Sequence, residues 1–246
     1  MASRVFLSIV IPAYNESRRL ESTLRRIVSH CSLIGQPFEI IVVDDGSTDD
    51  TAQMVESAKR EIGSLRLVSY RPNRGKGYAV RMGIQESKGQ YILFSDADLS
   101  TPIEEMDRFL PLLQNGTPVV IGTRKHKEAE IMKHQSLLRE SMGKVFTGIS
   151  NLILGLNVSD FTCGFKGFHQ VVAKEIFARQ QIERWAFDSE ILFLARRYGY
   201  VIAEVPVRWM NSPETKVRLL RDTVTSFLAL FRIRWNALKG KYDTGL

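Results

Sequence analysis

Four short apolar runs, each followed by a polar turn and then an amphipathic stretch, occupy the first half of the chain and leave few folds open to it. Phe6–Ile11 ends in Pro12, after which Leu20, Leu24, Ile27 and Val28 recur at helical spacing. Phe38–Val43 ends in Asp44-Asp45-Gly46-Ser47, and the helix beyond it turns Ala52, Val55 and Ala58 inward. Leu65–Tyr70 leads through Arg71-Pro72-Asn73-Arg74-Gly75 into a helix beginning near Lys76. Tyr91–Phe94 is apolar throughout, as a strand buried on both faces requires. Strand alternating with helix specifies an α/β fold: a mostly parallel, doubly wound sheet with right-handed crossovers and helices on both faces. A chain of 246 residues suits one such domain with a substantial core.

Parallel strands bring their carboxyl ends to one edge, where folds of this kind bind ligands. Tyr14-Asn15-Glu16, Asp44-Asp45 and the Asp96/Asp98 pair all follow strand ends and are expected to converge there. Each alone is ordinary turn chemistry; three sets together are not. In the stretch YILFSDADLSTP (Tyr91–Pro102), an extended backbone continued past Phe94 puts Asp96 and Asp98 on one side. Two such carboxylates repel unless a cation lies between them, and a hard divalent ion, Mg2+ or Mn2+, is the usual solution. The competing role, capping the next helix, is filled by Thr101 with Pro102 at the first helical position and Glu104 closing a capping box. No GxGxxG follows the first strand, and Gly75-Lys76-Gly77 lacks the spacing of a phosphate-cradling P-loop. This acidic edge would therefore grip phosphate through a metal.

The net charge of +7 is concentrated: eight basic residues against Glu214 and Asp222 give the segment Arg208–Lys241 a charge of +6. No nucleic-acid-binding motif accompanies it, so an anionic membrane surface or a phosphorylated substrate is the better match and no nucleic acid is expected. Cys31 and Cys163 have no paired spacing and read as buried free thiols in a reducing compartment. No signal core or run of about 20 apolar residues is present, so the chain is expected at the cytoplasmic face of a membrane as a peripheral protein.

Four motifs in order, SIVIPAYNE (Ser8–Glu16), VVDDGSTDDT (Val42–Thr51), NRGKGYAVRMGI (Asn73–Ile84) and DADLSTP (Asp96–Pro102), resemble the inverting family 2 glycosyltransferases with a GT-A fold. GTRKH (Gly122–His126), DFTCGFKGF (Asp160–Phe168), ERWAFDSE (Glu183–Glu190) and AEVPVRW (Ala203–Trp209) are similar to the polyprenyl-phosphate branch, above all the dolichyl-phosphate beta-glucosyltransferases. The resemblance implies a nucleotide-sugar site of Pro12, Tyr14, Glu16, Asp44, Asp45, Lys76, Asp96, Ala97 and Asp98, with Asp44 beside the base or supporting its loop. Asp96 and Asp98 would hold the metal on the diphosphate, Arg124 and Arg139 would receive the lipid phosphate, and Lys216 would close over the donor. Relatives often carry Gly-Ser before that lysine, where this chain has Glu214-Thr215. UDP-glucose is the implied donor and polyprenyl or dolichyl phosphate the acceptor; mannosyl transfer from GDP-mannose and transfer to a sugar hydroxyl are the alternatives.

The second half accommodates that reading. Arg124 stands just past a strand at Val119–Ile121, where it either forks onto phosphate oxygens or pairs with Glu128 or Glu130. Leu137–Leu156 reads as a helix whose apolar face holds Val145, Phe146, Ile149, Leu152 and Ile153, and His126, His134 and His169 lack metal-ligand spacing. Asp188 and Glu190 are candidates for a general base, with Asp188 equally a helix cap. A phosphate monoester is largely a dianion at neutral pH, so Asp188 would position such an acceptor and act as a base only toward a hydroxyl. A catalytic domain over 1–212, with a nucleotide half to about 125 and an acceptor half from about 126, would precede a basic amphipathic segment at 213–246. There Leu219, Leu220, Val224, Phe227, Leu228, Leu230, Phe231 and Trp235 lie among arginines, as in an interfacial helix or a core-packing helix with solvated charges.

Overall fold

The computed structural model describes residues 5–133, 135–211 and 219–243. Its strands are β1 Leu7–Ala13, β2 Phe38–Asp44, β3 Leu65–Ser69, β4 Tyr91–Ser95, β5 Val119–Thr123, β6 Glu130–Lys133, β7 Phe165–His169, β8 Ile202–Pro206 and β9 Arg208–Met210. Its helices are α1 Leu20–Leu33, α2 Thr51–Ala58, α3 Lys76–Glu86, α4 Met106–Gln114, α5 Leu137–Leu154, α6 Gln170–Ala178, α7 Phe187–Arg197 and α8 Leu219–Leu238. Seven strands form one sheet in the order β3-β2-β1-β4-β7-β5-β8, and β6 pairs with β9 in a small parallel ribbon.

Every pairing in the large sheet is parallel except the two made by β7, which runs against both β4 and β5. Two reversals restore direction, so β1, β2, β4 and β5 all end at one edge, in Ala13, Asp44, Ser95 and Thr123. Side chains alternate between two cores. Val10, Ile41, Val43, Ile92 and Phe94 face one layer, and Ile9, Ile11, Ile40, Val42 and Leu93 the other.

Two local expectations are corrected. β1 does not stop at Pro12 but runs on to Ala13, pairing Pro12 with Val43. β4 accompanies β1 only as far as Val10, so Pro12 has a partner strand on one side alone, where its missing N–H leaves no ladder bond unmade. The capping box at Thr101 is also absent. Pro102 is extended at ψ 143°, a short 3-10 turn at Ile103–Glu105 comes next, and no side chain caps it. Glu104 instead forks onto Arg26 at 2.9 and 2.8 Å, and Thr101 Oγ1 lies 3.8 Å from Cys163 Sγ.

α8 has two dissimilar faces. Leu230 and Ile233 are fully buried in the core that holds Phe94, and Phe227 meets Phe146 of α5 edge-on at 5.4 Å. The opposite face leaves Val224, Leu228, Phe231, Trp235 and Leu238 exposed. α5 is divided likewise, with Phe146, Ile149 and Ile153 against the core and Val145 and Leu152 exposed. Beyond α8, buried Tyr242 ties the segment down by donating to Glu190 Oε1 at 2.5 Å.

Candidate active site

The edge formed by β1, β2 and β4 carries the acidic residues that the sequence places there. Asn15, in the left-handed region at φ 55°, accepts from Thr48 N through Oδ1 at 2.8 Å, and its own N–H donates to Ser47 Oγ at 2.9 Å. These bonds lock the loop holding Tyr14 and Glu16 to the loop after β2. Pro12, Tyr14 and Glu16 are half-buried, and Glu16 pairs with Arg19. A cavity of about 410 Å³ lined by Asn15, Glu16, Ser17, Arg18, Arg19 and Asp49 opens beside them.

Asp44 and Asp45 both act inward. Asp44 accepts from Ser47 N at 3.0 Å and Ser69 Oγ at 2.9 Å, which makes it the support of its own turn. Asp45 accepts from Asn73 Nδ2 at 2.7 Å and from Arg74 N and Gly75 N at 2.8 Å, fastening the loop that leads into α3. Burial pushes the Asp45 carboxyl upward, against these bonds. At Gly46, with φ +71°, a Cβ would come within 2.8 Å of Asn73 N, so the crossing of the two loops requires glycine.

The extended continuation expected for Asp96–Asp98 is replaced by a turn. β4 ends at Ser95, Leu99 N donates to Asp96 O at 3.1 Å, and Leu99 takes φ 45°, a strained value for a bulky residue. Ala97 is buried, its carbonyl accepting from Thr23 Oγ1 at 2.7 Å, which pins the turn to α1. Asp98 accepts from Ser100 N at 2.9 Å and has Arg19 Nη1 at 3.9 Å. Burial, and next the Asp96 charge, push the Asp98 carboxyl upward. Lys76 Nζ lies 2.5 Å from Asp96 Oδ1. Burial lowers the Lys76 ammonium, yet the Asp96 and Asp188 charges together leave it raised.

Among the described residues no three potential ligand side chains cluster as a complete metal cage. Two carboxylates whose charges oppose each other, at a ligand edge, nevertheless fit a hard divalent ion whose remaining ligands come from substrate phosphate and water.

Asp188 is neither exposed nor a cap: Ala186 holds the N-cap of α7, and Asp188 faces Lys166 Nζ at 2.6 Å. Lys166 is fully buried on β7, and its ammonium also donates to Cys163 O at 2.5 Å. Burial pushes the Asp188 carboxyl up, while the ammonium groups of Lys166 and Lys76 oppose that shift. Glu190, the other candidate base, turns away from this group toward Tyr242 and the N–H groups of Gln181 and Ile182. Lys166 is the participant that motif reading missed. Its signal was a lysine at a core-facing position of a phenylalanine-rich strand, Phe165-Lys166-Gly167-Phe168.

Arg124 follows β5 on the same edge, and its partner is Asp160 rather than Glu128 or Glu130. Nε and Nη2 donate to the two carboxylate oxygens at 2.7 and 2.9 Å, Nη2 also reaches Thr162 Oγ1 at 2.8 Å, and the guanidinium lies 5.3 Å from the Trp209 ring centroid. Burial pushes the Asp160 carboxyl up, but Arg124 outweighs it and holds the group well below the usual carboxylate range. Arg139 is half-buried in the first turn of α5. Lys216 and its neighbours Glu214 and Thr215 lie outside the described residues.

Residues 8–177 match the family model "Glycosyl transferase family 2". A dolichyl-phosphate beta-glucosyltransferase of Dictyostelium discoideum is 35% identical over 96% of this chain and 76% of its own length. The enzyme of that name in Saccharomyces cerevisiae is 33% identical over 97% of this chain and 77% of its own. Among solved structures, glucosyl-3-phosphoglycerate synthase of Mycobacterium tuberculosis in complex with Mn2+, UDP and glucosyl-3-phosphoglycerate superposes with a TM-score of 0.61 at 20% identity, covering 96% of this chain and 79% of that one. At that identity the likeness establishes the shared α/β fold.

Proposed function

The chain belongs to glycosyl transferase family 2, and from that premise we propose that it transfers glucose from UDP-glucose to the phosphate of a polyprenyl phosphate such as dolichyl phosphate. The observation that carries the reading is the match, over nearly all of this chain and 76–77% of theirs, to enzymes named dolichyl-phosphate beta-glucosyltransferase. Pro12, Tyr14, Glu16 and Asp45 surround the nucleoside, with Asp44 holding the loop in place. Asp96 and Asp98, either side of Ala97, would hold Mg2+ or Mn2+, which would supply positive charge against the departing diphosphate. Lys216 is assigned to donor closure by its motif alone.

Arg124 and Arg139 receive the acceptor phosphate. Asp160 and Thr162 engage Nε and Nη2 of Arg124, and among the described residues Nη1 makes no hydrogen bond, which suits a guanidinium held rigidly with one edge toward an anion. The phosphate is a competent nucleophile without proton removal, since its second pKa is about 6. Asp188, bound to Lys166, therefore orients rather than deprotonates, and attack opposite the leaving diphosphate inverts the anomeric centre.

The lipid acceptor requires contact with a membrane. No described helix is long and apolar enough to cross one. The exposed stripe Val224, Leu228, Phe231, Trp235 and Leu238, flanked by exposed Arg221, Arg232 and Arg234, suits α8 to lie along the headgroups. Cys31 and Cys163, both buried and free, accord with a reducing, cytoplasmic setting. The test is incubation of the purified protein with labelled nucleotide sugars and polyprenyl phosphate. UDP-glucose is expected to give the lipid product. Transfer from GDP-mannose alone would replace the donor assignment, and transfer only to a sugar hydroxyl would replace the acceptor.

A further inference from the structure

Lys76 opens α3, and its side chain reaches into the acidic edge with 16% of its surface exposed. Its ammonium is 2.5 Å from Asp96 Oδ1. The other carboxylate oxygen is closed in as well. A Cβ on Gly164 would stand 2.0 Å from Asp96 Oδ2, so the backbone leading into β7 lies against it and limits how far Asp96 can turn. One member of a carboxylate pair thus has a protein cation already in place on one oxygen and backbone against the other.

A lysine ammonium and a divalent ion are alternatives at one carboxylate oxygen. Like charges a few ångströms apart repel strongly even at an effective dielectric near that of a protein surface, so the two do not share the site. The charge of Asp188, held by Lys166 at 2.6 Å, also acts on Lys76 from the same edge. We propose that Lys76 is an internal stand-in for the divalent cation, occupying Asp96 in the metal-free enzyme and making metal binding depend on a nucleoside diphosphate. The diphosphate supplies the oxygen ligands the pair lacks and an anionic neighbour for the displaced ammonium. This inference rests on the reading of Asp96 and Asp98 as the metal-holding pair.

The experiment is Mn2+ titration followed by the electron paramagnetic resonance of the free ion, for wild type, Lys76→Met and Lys76→Gln, each checked for native circular dichroism. Without nucleotide, both variants are expected to bind Mn2+ about tenfold or more tightly than wild type, because one positive charge has left the site. Adding Asp98→Asn to Lys76→Met should abolish the gain. UDP should strengthen Mn2+ binding by a larger factor in wild type than in Lys76→Met, since the linkage includes displacement of the lysine. Folded variants that bind Mn2+ no more tightly than wild type without UDP overturn the inference. If Asp98→Asn then still weakens Mn2+ binding to the wild type with UDP, the metal-site reading survives; if Asp98→Asn changes nothing, both fall.

Discussion

Replacing Arg124 with alanine is expected to weaken the fold as well as the acceptor site. Asp160 is fully buried and receives two charge-assisted bonds from the guanidinium, at 2.7 and 2.9 Å, with the Arg124 side chain only 20% exposed. Removing one partner of such a pair leaves a buried charge and typically costs 3–5 kcal/mol. Asp160 keeps its bonds from Arg124 N and Thr162 N, both at 3.1 Å, which places the expected loss near the lower bound, about 3 kcal/mol. Its pH dependence has a definite sign. A carboxyl held below its unfolded value of about 3.9 contributes stability that is present above that value and lost as pH falls through the folded one. In Arg124→Ala the largest opposition to burial is gone and only the backbone bonds and the Lys125 charge still favour the carboxylate, so the gap between variant and wild type is widest at neutral pH and narrows as pH falls through the variant's higher folded value toward that of the wild type. Asp160→Asn in the same chain should recover much of the loss, with a coupling of about 2 kcal/mol or more. Urea unfolding of both single variants and the double, at neutral and acid pH, measures all of this. A loss under about 1 kcal/mol, or one independent of pH, would mean that the Arg124–Asp160 pair contributes no more than a surface ion pair. The stabilised double variant also isolates the acceptor role: its apparent KM for polyprenyl phosphate should still rise steeply.

Asp98→Ala should abolish turnover, and chelation should suppress the wild type until Mg2+ or Mn2+ is restored; full activity of metal-free protein would contradict the metal role. Asp188→Asn keeps an oxygen to accept from Lys166, so substantial activity toward a phosphate acceptor should remain, whereas a true base would lose the chemical step. Replacing Arg232 and Arg234, both exposed on α8, with glutamate should reduce salt-sensitive sedimentation with anionic liposomes while sparing activity on a short soluble acceptor. Equal sedimentation of the two proteins would remove α8 from the membrane contact.

The sheet was legible in the sequence because each apolar run stopped at residues that forbid or redirect a strand. Legibility failed where a long-range partner decided the outcome. Pro12 is tolerated inside β1 because β4 falls short of it, which no local pattern announces. The antiparallel β7 follows from where Phe165–His169 inserts, between β4 and β5. Thr101 and Glu104 had the spacing of a capping box, but Cys163 and Arg26 claim them through tertiary contacts. In the site, Asp96 and Asp98 were apparent as acidic residues past a strand end and Lys76 as a site residue by resemblance, while the pairing of Lys76 with Asp96 and the presence of Lys166 beside Asp188 were not. Lys76 and Lys166 come from an adjoining helix and strand, and only the fold brings them to Asp96 and Asp188. For α8 the core-packing reading holds for the face that carries Leu230 and Ile233, and the opposite apolar face is exposed.

Which bond the enzyme makes is read from the structure of the lipid product formed from UDP-glucose and polyprenyl phosphate, determined by proton and phosphorus NMR. Glucose is expected to be joined through its anomeric carbon to the lipid phosphate in the beta configuration, inverted from the alpha-linked donor. An alpha-linked product would contradict inversion, and glucose found on a hydroxyl with the lipid phosphate unmodified would overturn the assignment of the phosphate as nucleophile.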